Sequence, residues 1–271
     1  MTTPFDGRLL WWHWQGGRVT EPTIEELATA VRAATPTVAG IAIKTSTGAQ
    51  WQGDYDDPKR EMAITGPDSI ARWVEVLARH DLETHLWCVL RGEDPAREAA
   101  LVVQACQVPG VRSMILDVEA GPCYFGGQPP EVAHALITQV RQGLPPTFHL
   151  GLCLFADNGE ADAIHLDVWL PCVQSLHPMV YHWEHSRATS RPEPYLDRAF
   201  GALSPYGLPI VPLLQTYPDP TTGADPPGEH IYAATVHALR RGAPGVGYFR
   251  WGAASPAAFE AIRRVSLRQL R

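Results

Sequence analysis

Eight short apolar runs, separated by stretches with helix signals, constrain this chain more than any other feature. The runs are Arg8–Gln15, Val38–Thr45, Thr84–Arg91, Val111–Glu119, Phe148–Phe155, Leu176–Trp183, Ile210–Tyr217 and Gly245–Trp251. Most are rich in Val, Ile, Leu or aromatic residues and read as strands. Between them, Thr23-Ile-Glu-Glu26 reads as a capping box, with Ile24, Leu27 and Val31 on one helical face. Pro67-Asp-Ser precedes Ile70, Trp73, Val74 and Leu77 at helical spacing, and Asp94-Pro95 reads as an N-cap followed by proline at the first helical position. Pro129-Pro130-Glu131 opens a helix that Gly143 closes. Further helices are predicted over Gly228–Arg241 and Ser255–Leu270, while Ala161–Val173 and Glu193–Leu203 carry less regular patterns.

Strands alternating with helices imply a parallel sheet. Eight such units in 271 residues fit an α/β fold, a single (β/α)8 TIM-like barrel over residues 1–271. An open doubly wound sheet is the alternative. It would show a glycine-rich phosphate turn after the first strand, and Gln15-Gly16-Gly17 is too short for one.

The formal charge of -7 offers no overall attraction to nucleic acid or anionic lipid. No apolar run approaches the roughly 18 residues of a membrane span. The start, Met1-Thr-Thr-Pro-Phe-Asp, shows neither a basic n-region nor an apolar h-region. A cytoplasmic protein, or one released by a non-classical or lytic route, is therefore expected. Five widely spaced cysteines without a CxxC motif read as buried thiols in a reducing compartment. The sequence does not specify an oligomeric state.

In a barrel of this kind chemistry sits at the C-terminal strand ends. The residues falling there are His13, Trp14 and Gln15; Lys44 and Ser46; Arg91; Asp117 and Glu119; Phe155 and Asp157; Tyr181 and Trp183; Gln215 and Tyr217; Arg250 and Trp251. This polar and aromatic set reads as a site for a large, hydroxyl-rich ligand. Its sharpest element is Met114-Ile-Leu-Asp-Val-Glu119, a strand ending in Asp-x-Glu. Side chains at i and i+2 share a face, so Asp117 and Glu119 are expected to face the barrel axis together. Two close carboxyls divide into one that keeps its proton and one that stays ionised, which suits glycoside hydrolysis. The alternative is structural, with Asp117 capping a loop and Glu119 paired to Arg91 or Arg250.

Trp11, Trp12, Trp14, Trp51, Trp183 and Trp251 are candidate platforms for sugar rings, about half of them being assigned to the core because strand neighbours face opposite ways. Trp73, Trp87 and Trp169 are assigned to packing. Tyr181 is a candidate donor to developing charge. Lys44 is expected to pair with a site carboxylate rather than to form a Schiff base. His13, His177, His182 and His185 fall near strand ends, yet no HxH or HExxH occurs and no metal is expected. The acidic loop Gln52–Asp57 reads as solvated and is too irregular for an EF-hand. Gly-x-Ser-x-Gly and phosphate-loop motifs are absent, and no cofactor is expected.

Several segments together resemble the family 25 glycoside hydrolases, the lysozyme-like muramidases. These are His13-Trp-Gln-Gly16 against that family's Trp/Tyr-Gln-Gly, Ile43-Lys-Thr-Ser-Thr-Gly48 against Ile-Lys-Ala-Thr/Ser-x-Gly, and Leu116-Asp-Val-Glu119 against its Asp-x-Glu. Asp-x-Glu, Met179-Val-Tyr181 and Trp251 are also similar to family 18 chitinases. The resemblance implies a barrel that hydrolyses β-linked, N-acetylated glycans such as peptidoglycan or chitin. Glu119 would be the general acid, and Asp117 would orient or stabilise the acetamido group as it attacks, or assist a water. On this reading Asp117, Glu119 and Tyr181 are catalytic. His13, Trp14, Gln15, Lys44, Trp183, Gln215, Tyr217 and Trp251 bind the polysaccharide or oligosaccharide.

The chain departs from both families. Leu9-Leu-Trp-Trp12 lacks the muramidase first-strand aspartate, Arg112 and Ile115 replace the upstream chitinase aspartates, and His182 follows Tyr181 where the chitinase pattern has aspartate. These departures motivate a second reading, a catalytically inactive carbohydrate-binding or assembly barrel. A third is a metal-dependent hydrolase using the histidines with Asp117.

Overall fold

Alternation along the first strand sets the geometry of the whole chain. In β1 (Arg8–His13) Leu9, Trp11 and His13 point outward, while Leu10 and Trp12 point to an interior axis. The structure is a computed structural model that describes residues 2–55, 61–156, 160–184 and 191–267. Parallel pairing continues through β2 (Gly40–Thr47), β4 (Glu83–Val89), β5 (Val111–Asp117), β6 (Leu150–Leu154), β7 (Ser175–Val180), β8 (Leu213–Gln215) and β9 (Gly245–Phe249). β1 pairs with β2 on one side and with β9 on the other, so the sheet closes into an eight-stranded (β/α)8 barrel. A two-residue strand, β3 (Gln50–Trp51), folds back antiparallel on the end of β2 and was not foreseen from periodicity. Only three residues of the run 210–217 form a ladder, because Pro212 lacks the N–H a longer strand needs.

Helices α1 (Ile24–Ala34), α2 (Pro67–Arg79), α3 (Pro95–Cys106), α4 (Pro130–Gln142), α7 (Glu193–Leu203), α8 (Gly228–Arg240) and α9 (Pro256–Arg263) surround the barrel. The less regular stretch 161–173 holds two single-turn helices, α5 (Glu160–Ala163) and α6 (Leu166–Trp169). The Thr23 hydroxyl accepts from the Glu26 N–H at 3.1 Å, Asp94 from the Arg97 N–H at 3.1 Å, and Ser255 from the Ala258 N–H at 3.3 Å. Gly143 ends α4 with a right-handed φ of -81°, not in the left-handed form. Its lack of a side chain serves packing, since a Cβ there would lie 2.6 Å from the Val103 side chain.

The core has two shells. The outer one packs Ile, Leu and Val from the strands against the helices. Trp11 belongs to it: its indole donates to the Thr35 hydroxyl at 2.9 Å and its ring meets Tyr248, Trp251 and Phe259. The inner shell contains Leu10, Trp12, Trp87, Ile115, Met179 and Leu213. Small residues make space for its large ones: a Cβ on Gly247 would lie 2.8 Å from the Trp12 indole nitrogen, and one on Gly151 would lie 2.6 Å from His177.

The floor of the barrel is sealed by Phe5, whose ring sits 4.8 to 5.4 Å from His85, His149 and His177. Ser175 bridges His149 and His177 at 2.9 Å each, and Ser113 meets His85 at 2.8 Å. Burial holds all three imidazoles below the usual histidine range, His149 at about 4. Cys88, Cys106 and Cys153 are buried as expected, but Cys123 is exposed and Cys172 half-buried, and all five are free thiols.

Trp11 joins β1 to α1 and α9, so Trp11→Ala is expected to cost about 3–5 kcal/mol of unfolding free energy. Urea denaturation followed by far-UV circular dichroism checks this, and Trp11→Phe should recover most of the loss.

Candidate active site

The C-terminal ends of the strands open into a cavity of about 790 Å³. Asp117 is the last residue of β5, and the chain stays extended beyond it, the Val118 N–H donating to the Cys153 carbonyl at 3.0 Å. Val118 therefore points into the outer core while Asp117 and Glu119 both line the cavity. The loop that follows is drawn back onto this corner. The Gly126 N–H donates to the Glu119 carbonyl at 3.0 Å, and Glu160 accepts from the Ala120 N–H at 2.6 Å.

Burial is the largest influence on both carboxyls and raises the pKa of each. Glu119 is pushed further by the neighbouring Asp117, Glu160 and Glu184 charges. Asp117 is pulled back by the Lys44 ammonium and a hydrogen bond from the Cys153 thiol, although its Oδ1 is buried without a partner. Lys44 is itself pushed down to about 8 by burial, its Nζ lying 5.1 Å from the Trp87 ring centre and 5.8 Å from that of Trp14. The corner thus holds a proton-retaining Glu119 beside an Asp117 whose charge Lys44 favours.

Aromatic rings form the walls. Trp12, Trp14 and Trp87 stand on one side, with Trp12 and Trp87 5.0 Å apart. Phe249 joins them, 6.0 to 6.4 Å from all three rings, and links them to Tyr181, which stacks on it at 5.9 Å and meets Tyr217 edge-on at 5.5 Å. Burial raises the pKa of both tyrosines, so each keeps its hydroxyl proton, and that of Tyr217 is donated to Glu184.

Of the residues expected at the site, Trp14, Lys44, Asp117, Glu119, Tyr181 and Tyr217 meet in this cavity. Five expected sugar-binding residues do not line it. His13 follows the outward parity of β1 and packs 5.0 Å from the Trp73 ring. Gln15 lies just past the strand, where its carbonyl accepts from the Arg18 N–H at 3.0 Å. Trp183 is buried under the mouth, its indole donating to the Ala224 carbonyl at 2.9 Å. Gln215 ties loops together, accepting from the Trp183 N–H at 2.9 Å and donating to the Tyr217 carbonyl at 3.2 Å. Trp251 turns outward against Trp11 and Phe259.

Of the other candidate platforms, Trp12 lines the cavity, whereas Trp11 and Trp51 belong to the outer core. Trp73 and Trp169 pack in that core, but Trp87, also assigned to packing, lines the cavity; its shared parity with Arg91 was the available signal. Tyr124 and Glu184 come from loops and carried no signal. Asp157, His185 and the end of the acidic loop, Asp56 and Asp57, lie outside the described residues. Among the described residues no three His, Cys, Asp or Glu side chains are grouped as a metal ion requires, and neither Arg91 nor Arg250 forms an ion pair with Glu119.

No protein-family model matches the chain, and no curated protein matches it. Solved structures do. The catalytic domain of a hyperthermophilic chitinase from Pyrococcus furiosus superposes with a TM-score of 0.68 at 12% identity, over 99% of this chain and 97% of that one. An endo-β-1,4-mannanase from Thermotoga petrophila gives 0.64 at 11% identity, over 96% and 76%. The Bacillus cereus spore cortex-lytic enzyme SleL gives 0.63 at 11% identity, over 94% and 73%. At these identities the likeness shows the barrel fold.

Two outcomes follow from the Glu119 corner. A Cβ on Gly126 would collide with the Ala120 carbonyl oxygen, so Gly126→Ala is expected to displace the loop and cost about 1–3 kcal/mol; differential scanning calorimetry reads the loss. Glu119 has a folded pKa raised above its unfolded value of about 4.3, so its contribution to stability is fully present below that value and is lost as pH rises toward the folded one. Glu119→Gln should therefore gain stability relative to wild type between about pH 5 and about pH 8, read from urea midpoints at the two pH values.

Proposed function

We propose that the chain is a glycoside hydrolase acting on β-linked, N-acetylated glycans of the peptidoglycan or chitin type. The observation that carries this reading is the Asp117–Glu119 corner, where burial keeps a proton on Glu119 within an aromatic-walled cavity wide enough for sugar rings. The resemblance to family 25 and family 18 hydrolases, and the barrel shared with a chitinase and a spore cortex-lytic enzyme, point the same way.

In this reading Glu119 gives its proton to the glycosidic oxygen as the bond to the anomeric carbon breaks. Asp117 lies on the same strand as the acid and not across the bond from it, which suits an orienting role. It accepts from the acetamido N–H of the bound sugar, so that the acetamido oxygen closes on the anomeric carbon and carries the positive charge that develops there. The Tyr181 hydroxyl, which burial keeps protonated, donates to the same group. Water then attacks the anomeric carbon and breaks its bond to the acetamido oxygen, the water's proton going to the ionised Glu119. Lys44 holds Asp117 toward its charged form.

A reducing-end assay on purified peptidoglycan and on chitin oligomers tests the reading. Wild type is expected to release new reducing ends, and Glu119→Gln to lower the rate about 100- to 10,000-fold. Full turnover by the variant would remove Glu119 as the acid. Glycan binding without product from wild type would identify a carbohydrate-binding barrel instead.

A further inference from the structure

The cavity wall is electrically divided around the barrel. Arg250 follows β9, Lys44 lies in β2 and Arg91 follows β4, so the cations occupy one arc, β9-β1-β2-β4. Asp117 ends β5, Glu119 follows it, and Glu184 and Asp219 lie on the loops after β7 and β8, so the carboxylates occupy the other. The Nε of Arg91, like that of Arg250, is buried without an acceptor, but of the two only Arg250 is held over the cavity's aromatic rings. Lys44 is accounted for by the neighbouring Asp117 charge.

Arg250 has no such partner. Its guanidinium carbon stands 4.4 Å from the ring centre of Trp14 and 5.8 Å from those of Tyr217 and Phe249. These rings engage the planar group and hold it at the cavity wall. Its Nε is buried with no acceptor, and among the described residues no carboxylate forms an ion pair with it. Of the cavity carboxylates on the loops after β7 and β8, Glu184 already accepts from the Tyr217 hydroxyl, and Asp219 accepts from the Thr221 and Thr222 N–H groups at 2.7 and 3.1 Å. Burial and the nearby Arg18 charge both work against the charged form of Arg250. A guanidinium whose Nε is buried without an acceptor is incompletely satisfied, and a carboxylate matches its paired N–H edge better than any neutral sugar hydroxyl.

We propose that the cavity takes an acidic glycan, with Arg250 pairing edge-on with a carboxylate of a sugar bound beside the linkage that faces Glu119. The position of that linkage rests on the hydrolase reading above; the charge preference does not.

The test uses the full chain carrying Glu119→Gln, which binds without turnover. Isothermal titration compares a hexamer of β-1,4-linked N-acetylglucosamine with the same hexamer oxidised at C6 to uronate. The uronate is expected to bind at least about tenfold more tightly, with the advantage shrinking as salt is raised. Adding Arg250→Gln should erase the advantage, so that the two hexamers bind within about twofold of one another, and Arg250→Lys should keep part of it. Equal affinities before Arg250 is changed, or an advantage that survives Arg250→Gln, would overturn the proposal, as would failure to bind either hexamer. The comparison before Arg250 is changed decides the matter even if a substitution there fails to fold. The hydrolase reading fails separately: a uronate preference in a protein whose wild type releases no reducing ends keeps the arginine as the reader of charge and removes the hydrolase.

Discussion

The closed parallel sheet admits two destinations for a side chain, the axis or the helices, and every other property of the molecule follows from which one each residue takes. Closure of β1 between β2 and β9 leaves no edge, so the alternation runs unbroken around the ring. It sends Trp12 inward and Trp11 and His13 outward from one short segment. It also brings Asp117 and Glu119 to one wall while Val118 between them anchors the strand end in the outer shell.

That placement has an electrostatic cost, and the surroundings offset part of it. Two carboxyls close together in a partly dry cavity cannot both ionise freely. Lys44, two strands away, favours charge on Asp117, and the Cys153 thiol hydrogen-bonds to the same group. Glu119 receives mainly the opposing influences, burial and three neighbouring acids. The asymmetry between the two groups comes from where the single nearby ammonium sits, not from any difference intrinsic to Asp and Glu.

Sequence patterning exposed the barrel because strand and helix periods alternate without interruption, and proline and capping residues mark the joints. Asp117, Glu119, Trp14 and Lys44 were legible because alternation holds to the ends of their strands. It stops being a guide where the ladder stops. Past Phe249, Arg250 lines the cavity and Trp251 turns to the outer shell, the reverse of what continued alternation gives. Trp183 and Gln215 look like ligand contacts in sequence, yet their hydrogen bonds bind one loop to another. Glu184 and Tyr124 reach the cavity from connecting segments, whose paths depend on tertiary packing that no local pattern encodes.

The Phe5 floor with its three neutral imidazoles has a consequence for traffic. It closes the barrel at that end, so among the described residues the cavity opens at the C-terminal ends of the strands. A polymer cannot be reeled through the axis. On the proposed reading, a glycan would lie across the mouth, drop a segment toward the carboxyl corner, and leave by the way it came. A second round would then begin with the ejection of what the first left behind, and the rings at the doorway that would help a chain to settle would also slow its departure.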